Sequence, residues 1–221
     1  MKHIVVDLEM NPIRHNLEAR RISKLETIEI GAVMLDDNYR EVSSFRTYVK
    51  PEYNTGIAPN ITQLTGITNE MVENAPKFAE AFRMFTLWCL GTSEDVEIYA
   101  WSSSDYDQVF REIILKDYPI SPDEEVLLNT EWIDFQKEFD GHMGFEHQIS
   151  LSLALDMAGI DFTGRQHDAL DDARNTAELF VIYNNKELFN RTLKRIEEVM
   201  KPKPFSTTIG SMFDLSKFAV A

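Results

Sequence analysis

The sequence predicts an α/β domain built on a mixed five-stranded sheet with helices on both faces. Three observations lead to this prediction: β-branched runs crowd the N-terminal part of the chain, helical and strand patterns alternate after them, and 43% of the residues are hydrophobic. A chain of 221 residues is expected to hold one domain, over residues 1–200, followed by a tail over 201–221.

The strands are expected where short apolar runs end in turn or breaker residues. The turn-forming segment Asp36-Asp37-Asn38 separates the second and third runs, which predicts an antiparallel meander that stops at Pro51. The fourth and fifth strands each follow a helical pattern. We expect the strands at Ile4–Val6, Thr27–Leu35, Glu41–Val49, Val96–Trp101 and Val126–Ile133.

The helices are expected where apolar residues recur every three or four positions. Phe78, Phe82 and Phe85 show this spacing after Pro76, and Gly159 ends a later helix. The polar segment 14–24 is expected to be a loop, and Pro51–Thr68 a loop with a short helical piece. We expect helices at 76–90, Tyr106–Leu115, Phe135–Phe139, Ser150–Ala158, Asp168–Ile182 and Glu187–Met200.

Composition excludes several classes of protein. The formal net charge of −15, from 22 Lys and Arg against 37 Asp and Glu, argues against holding long nucleic acids by counterion release. An enzyme that meets nucleic acid through bound cations stays open. Cys89 is the single cysteine, no apolar run approaches the ~18–20 residues of a membrane span, and the early acids disfavour a signal peptide. We therefore expect a cytoplasmic protein without a membrane partner.

Three separated segments supply candidate catalytic side chains. Asp7 and Glu9 lie two residues apart on the first strand, so both carboxylates point to the same face. Asp107 follows the fourth strand, at the end of the sheet where open α/β sheets bind ligands. His167 and Asp172 flank the start of a helix. Taken singly, each segment also fits a solvated strand end or first-turn acids of a helix.

Taken together, these residues have the chemistry of a two-metal phosphodiesterase. Carboxylates repel one another at close range unless cations lie between them, and hard divalent ions prefer oxygen ligands. Two such ions can activate a water and stabilise the leaving oxygen, while a neutral histidine takes the proton of the water. We expect two Mg²⁺ or Mn²⁺ ions as cofactors and Asp7, Glu9, Asp107, His167 and Asp172 as the catalytic set.

The same motifs resemble those of a known family. Asp7-Leu-Glu9, Tyr106-Asp107 and His167 with Asp172 are similar in order and spacing to the three motifs of the DEDDh exonucleases, which are 3′→5′ nucleases with a ribonuclease H-like fold. The resemblance extends over residues 3–183 and is greater to the branch that trims small RNAs than to polymerase proofreading subunits.

The resemblance implies a role for each motif residue. Asp7 would bridge both ions, Glu9 and Asp172 would complete the shell of one ion, Asp107 would hold the second, and His167 would be the general base.

The second motif departs from the family pattern. Many members have Asn four residues before the catalytic Asp, whereas this chain has Ser103 there. The choice between Asp105 and Asp107 therefore stays open, with Tyr106 favouring Asp107.

Substrate contacts are expected beside these motifs. Leu8 and Met10 flank Glu9, and the resemblance implies that apolar residues here stack on the terminal base, with Met10 as the candidate. Leu64 and Thr65 are expected to pack against the substrate end. Plain packing in the protein core is the alternative for these residues. The basic loop after the first motif is expected at the rim of the site. Its phosphate-binding candidates are Arg14, Arg20 and Arg21, with a plain solvated loop as the alternative.

The function that follows is hydrolysis of phosphodiester bonds at the 3′ end of single-stranded RNA, DNA or short oligonucleotides, with release of nucleoside 5′-monophosphates. The alternative is a catalytically idle, nuclease-like module that binds an oligonucleotide or a protein partner. Apolar tail residues such as Phe205 and Phe213 leave open whether the tail docks on its own domain or on a second copy in a homodimer.

Overall fold

The sheet has the predicted mixed architecture. The computed structural model describes residues 1–92 and 94–200, and its strands are β1 (Lys2–Pro12), β2 (Leu25–Leu35), β3 (Glu41–Tyr48), β4 (Val96–Ala100) and β5 (Trp132–Asp134). Their order in the single described sheet is β3-β2-β1-β4-β5. The β3-β2-β1 pairs are antiparallel and the β1-β4-β5 pairs are parallel, which confirms the ribonuclease H-like class.

The helices of the described segments lie between and after these strands. They are α1 (Ala19–Ile22), α2 (Pro59–Thr65), α3 (Asn69–Glu73), α4 (Phe78–Leu90), α5 (Ser104–Leu115), α6 (Pro122–Asn129), α7 (Phe135–Met143), α8 (Leu151–Ala158), α9 (Ala169–Asn184) and α10 (Lys186–Met200). None of them combines the length and apolar character that crossing a bilayer requires. The predicted tail, 201–221, lies outside the described residues.

Two sequence expectations need correction. Val126 belongs to α6 rather than to the fifth strand, because Ser121 forms a capping box with Glu124 and Pro122 occupies the first turn. These start signals outweigh the β-branched residues that follow, and β5 begins only at Trp132. The segment 14–24 also departs from the expected loop, because it contains the four-residue helix α1. The segment Pro51–Thr68 has its predicted short helical piece, α2.

Strand β1 separates two apolar cores and thereby places the acids of the first motif. Ile4, Val6 and Leu8 face a core that includes residues of α4 and α5. Val5 faces the opposite core, which includes residues of α7 and α9. Because side chains alternate along a strand, Asp7 and Glu9 continue the α9 side. The alternation therefore points both carboxylates toward α9.

Helix α9 approaches the sheet closely at one glycine. A Cβ atom at Gly31 on β2 would lie 2.2 Å from the backbone nitrogen of Leu170 and 2.3 Å from the carbonyl carbon of Ala169. Only a residue without a side chain allows this approach. Gly31 is also the register partner of Asp7, so the first turn of α9 lies beside the acids of β1.

This close approach gives a prediction about stability. Gly31→Ala is expected to lower the free energy of unfolding by ~1–3 kcal/mol, because the added methyl group meets main-chain atoms that cannot rotate away. The matched control is Gly141→Ala in α7, where a Cβ would have no neighbour within 4 Å. That change should raise the free energy of unfolding by ~0.5–1 kcal/mol, the ordinary helix preference for Ala. Urea unfolding measures both values, and equal effects would contradict the packing argument.

Candidate active site

The acidic side chains converge where β1, β4 and α9 meet. Two adjoining cavities, of about 260 Å³ and about 290 Å³, share four lining residues: Asp7, Trp101, His167 and Asp172. The larger cavity adds Glu9 and Asp105. The carboxyl ends of the parallel strands β1 and β4 lie side by side, so residues that follow either strand reach the same place.

Three predicted residues already form a potential metal-binding group. One carboxylate oxygen of Glu9, one of Asp172 and a ring nitrogen of His167 all lie within 4.8 Å of one another. Glu9 is buried, Asp172 is half-buried and His167 is exposed. Glu9 thus lies on the inner side of this group, and His167 lies on the solvent side, from which a substrate would enter.

The loop before α9 holds His167 in an unusual backbone conformation. His167 has a φ of 63°, in the left-handed region that few non-glycine residues adopt. Its N–H donates to Asp172 Oδ2 over 3.0 Å, and the next residue, Asp168, caps α9 by accepting from the N–H of Asp171 over 3.2 Å. Asn175 bonds to both the N–H and the carbonyl of Thr163. These bonds tie the loop to α9 on both sides of His167.

The second motif needs correction, because Asp105 and not Asp107 belongs to the cluster. Asp105 is 4% exposed, lines the larger cavity and accepts the N–H of Leu8 over 3.1 Å. The side chain of Asp107 is 56% exposed, lines neither cavity and lies 3.9 Å from Arg111, one turn further along α5. The structure thus places Asp105, and not Asp107, beside the other acids that line this cavity.

The helical pattern of α5 contains the signal that distinguishes the two acids. Val109 and Ile113 are buried on the inward face of α5, and Asp105 precedes Val109 by four residues. It therefore lies on the same inward face, whereas Asp107 lies on the outward face with Arg111. The identity of the preceding residue, Tyr106, carried no such geometric information.

Burial raises the pKa values of all four carboxyl groups, and repulsion from other members of the set adds to the effect at Asp7 and Glu9. The pKa of Asp7 is well above its ordinary range, through burial first and then the charges of Asp105 and Asp172. Burial, with the charge of Asp172, raises the pKa of Glu9 to about 8. Burial also raises the pKa of Asp105 to about 7 and that of Asp172 to about 6.

The donor set fits hard divalent cations. Within residues 1–92 and 94–200, no basic side chain forms an ion pair with Asp7, Glu9, Asp105 or Asp172. Carboxylate oxygens are the ligands that Mg²⁺ and Mn²⁺ prefer, and like charges at this density need a counter-charge. DEDDh exonucleases use divalent metal ions, and the group at Glu9, His167 and Asp172 is compatible with that use.

The expected substrate residues divide into two sets. Leu8 and Met10 line the larger cavity, although only 7% of Leu8 is exposed, and Leu64 is exposed. Thr65 needs correction, because it is buried and its hydroxyl bonds to the carbonyl of Ile61 and the N–H of Ile67. The hydroxyl of Thr65 therefore bonds within α2 and the turn that follows it, and the buried side chain does not face a substrate site.

Arg14, Arg20 and Arg21 lie on the surface and line neither of the two adjoining cavities. Arg14 donates to Asn60 Oδ1 over 2.9 Å, so it is anchored to α2. Arg21 pairs with Glu18 over 2.9 Å. Their role in binding phosphates stays a prediction.

Sequence reasoning missed one wall of the site. The smaller cavity is closed by residues of the α8 N-terminus and of the loop before His167, and these come from parts of the chain without a recognisable motif. They are Ser150, Leu151, Ser152, Phe162 and Gln166, and they face Trp101.

Comparison with known proteins agrees with this fold. The exonuclease family model (RNase_T) matches residues 4–180. The 3′-5′ exoribonuclease 1 of Homo sapiens is 28% identical over 165 residues, which cover 71% of this chain and 45% of that protein. The ERI1 exoribonuclease 2 of Mus musculus is 30% identical in an alignment 235 positions long, which covers 94% of this chain and 32% of that protein. The chain thus spans less than half the length of these relatives.

Among solved structures, a similar one is the nuclease domain of 3′hExo, a DEDDh family member bound to rAMP. Its TM-score is 0.69 at 26% identity, and the match covers 81% of this chain and 90% of that one. Fold and site define a nuclease domain of the DEDDh type. With most of its length matched by the family model, the chain belongs to the exonuclease family.

The raised pKa values predict how stability depends on pH without metal. A carboxyl group whose pKa is higher in the folded than in the unfolded protein contributes stability at low pH, and this contribution is lost as the pH rises through the folded value. In chelator, the melting temperature should therefore fall between pH 5 and about 8, the value to which burial raises the pKa of Glu9.

The variant Glu9→Gln isolates this effect, because it removes the charge and keeps the shape. In chelator, the melting temperature of the variant should fall less steeply with rising pH than that of the parent protein. Adding Mn²⁺ at pH 8 should raise the melting temperature of the parent, since a ligand that binds only the folded state stabilises it. Parallel pH curves for the two proteins in chelator would contradict the prediction.

Proposed function

We propose that this chain is a metal-dependent 3′→5′ exonuclease that hydrolyses the terminal phosphodiester bond of single-stranded nucleic acid and releases nucleoside 5′-monophosphates. One observation carries the proposal: Asp7, Glu9, Asp105 and Asp172, from three separated segments, line the same cavity as His167. The names of the relatives, which are 3′-5′ exoribonucleases, support the direction and favour RNA as the substrate.

The four carboxylates would hold two Mg²⁺ or Mn²⁺ ions. Such ions, when bound, supply activation of a water and stabilisation of the leaving oxygen. Asp7 would serve both ions, a role supported by its position in the lining of both cavities and by its charge interaction with Asp105 and Asp172. Glu9 and Asp172 would complete one site and Asp105 the other.

His167 would act as the general base. Its ring lies beside the oxygens of Glu9 and Asp172 and is exposed to the cavities, so it can take a proton from an attacking water and pass it to solvent. The backbone N–H of His167 donates to Asp172 and so holds the proposed base at a fixed distance from the proposed metal ligand.

The two cavities would receive the nucleosides on either side of the cleaved bond. Leu8 and Met10, in the larger cavity, would contact the terminal base, and exposed Leu64 would pack against the substrate end. Phosphates further along the strand would be contacted by Arg14, Arg20 and Arg21. These arginines belong to a locally basic segment in a chain whose net charge is −15.

The direct test is a degradation assay with end-labelled oligonucleotides. A single-stranded RNA labelled at its 5′ end should shorten stepwise from the 3′ end in Mn²⁺ or Mg²⁺ and stay intact in chelator. A matched DNA oligomer measures the preference between the two sugars, and a 3′-phosphorylated RNA is the control for end recognition. Intact RNA at every metal concentration, with binding retained, would instead support the idle binding module.

The correction in the second motif gives a sharper test. Asp105→Asn should lower the rate about 100-fold or more, because loss of even an outer-shell partner of a metal ligand typically costs ~10–100-fold. Asp107→Asn is the matched control, two residues away on the outward face of α5, and should keep activity within about twofold. Circular dichroism checks that both variants fold. A reversed pattern would restore Asp107 as the ligand.

A further inference from the structure

We propose that Arg46 is a positioning residue that holds the catalytic loop at His167, an inference that rests on the proposed function of His167 as the base. Arg46 lies on β3, the edge strand of the sheet, and lines neither catalytic cavity. Its guanidinium group nevertheless reaches the first turn of α9, next to His167. It would act on the reaction through the loop and not through the substrate.

The first step of the argument is a pair of charge interactions. Arg46 Nε donates to Glu29 Oε1 over 2.7 Å, and Arg46 Nη2 donates to Asp168 Oδ2 over 2.5 Å. Glu29 is completely buried, and its other oxygen accepts the N–H of Ala169 over 3.2 Å. Arg46 and Glu29 therefore tie two strands of the sheet to the first residues of α9.

The second step concerns Asp168, whose two oxygens have separate tasks. Oδ1 accepts the N–H of Asp171 and caps α9, while Oδ2 pairs with Arg46. The cap fixes Asp168 relative to the helix, and the ion pair fixes it relative to the sheet. A carboxylate bound on both sides cannot swing with the loop that precedes it.

The third step links Asp168 to the base. His167 keeps a left-handed backbone conformation, which is strained for a residue other than glycine and persists only where the surroundings fix it. Asp168 is the next residue, and the bond from the N–H of His167 to Asp172 is the other restraint on that side. Without Arg46, the peptide between His167 and Asp168 gains freedom to relax, and the imidazole leaves its place beside Glu9.

The experiment is a double-mutant cycle at saturating Mn²⁺. Arg46→Gln should lower kcat about tenfold with KM within twofold, a partial loss of the ~100-fold or more that a general base supplies. Arg46→Lys, which keeps the charge, should recover part of this loss. In a His167→Ala background, Arg46→Gln should cause no further loss of kcat, because a residue that acts through the base has nothing left to position.

The matched control is Arg174→Gln. Arg174 also joins α9 to β3, through an ion pair with Glu41 over 3.1 Å, but it lies further along the helix from His167. Both members of this pair are exposed, so Arg174→Gln should lower the melting temperature only slightly and leave kcat unchanged. An equal loss of kcat in the control, or losses at Arg46 and His167 that multiply, would reduce Arg46 to a general structural role and overturn the proposal.

A measurement without turnover separates this inference from the proposed function. Hydrogen exchange of the segment 163–172 should be faster in Arg46→Gln than in the parent protein or in Arg174→Gln. If the parent protein degrades no oligonucleotide, the proposed function fails, yet the exchange data still decide whether Arg46 holds the loop. Unchanged exchange in Arg46→Gln would refute the positioning role even in an active enzyme.

Discussion

Mutual repulsion among buried carboxylates is the constraint on which this structure depends. Asp7 and Glu9 are fixed by strand alternation, Asp105 by the inward face of α5 and Asp172 by the first turn of α9. Apolar packing on both sides of β1 brings these elements together despite the repulsion among the acids. The cost of this arrangement is visible in the raised pKa values, and cations at the cluster would offset it.

Neutral donors and not basic side chains hold the acids in place. The N–H of Leu8 binds Asp105 and the N–H of His167 binds Asp172, so each carboxylate is oriented without losing its charge to a salt bridge. Among the described residues, Arg46 pairs with Glu29 and Asp168 in an outer layer around the site. Within that part of the chain no basic side chain competes with metal ions for the oxygens of the four inner acids.

The sequence predicted the fold and most of the site, and its failures have local causes. The class of fold, the antiparallel arrangement of the first three strands and the convergence of Asp7, Glu9, His167 and Asp172 follow from alternation, helical periodicity and motif spacing. The error at Asp107 arose because neighbouring residue identity was used where helical phase decides. At Thr65 the hydroxyl is used by local bonds to Ile61 and Ile67. The wall formed by Ser150, Phe162 and their neighbours depends on contacts between distant segments, which no local pattern encodes.

Gly31 has a mechanical consequence for how the nuclease centre can adapt. Main chain rests on main chain at this point, so the spacing between α9 and β2 cannot shrink and does not depend on a side-chain rotamer. Adjustment to ions of different radius must then come from torsions of the carboxylate side chains themselves. The longer Glu9, with one more rotatable bond than its aspartate neighbours, has the greatest range for that adjustment.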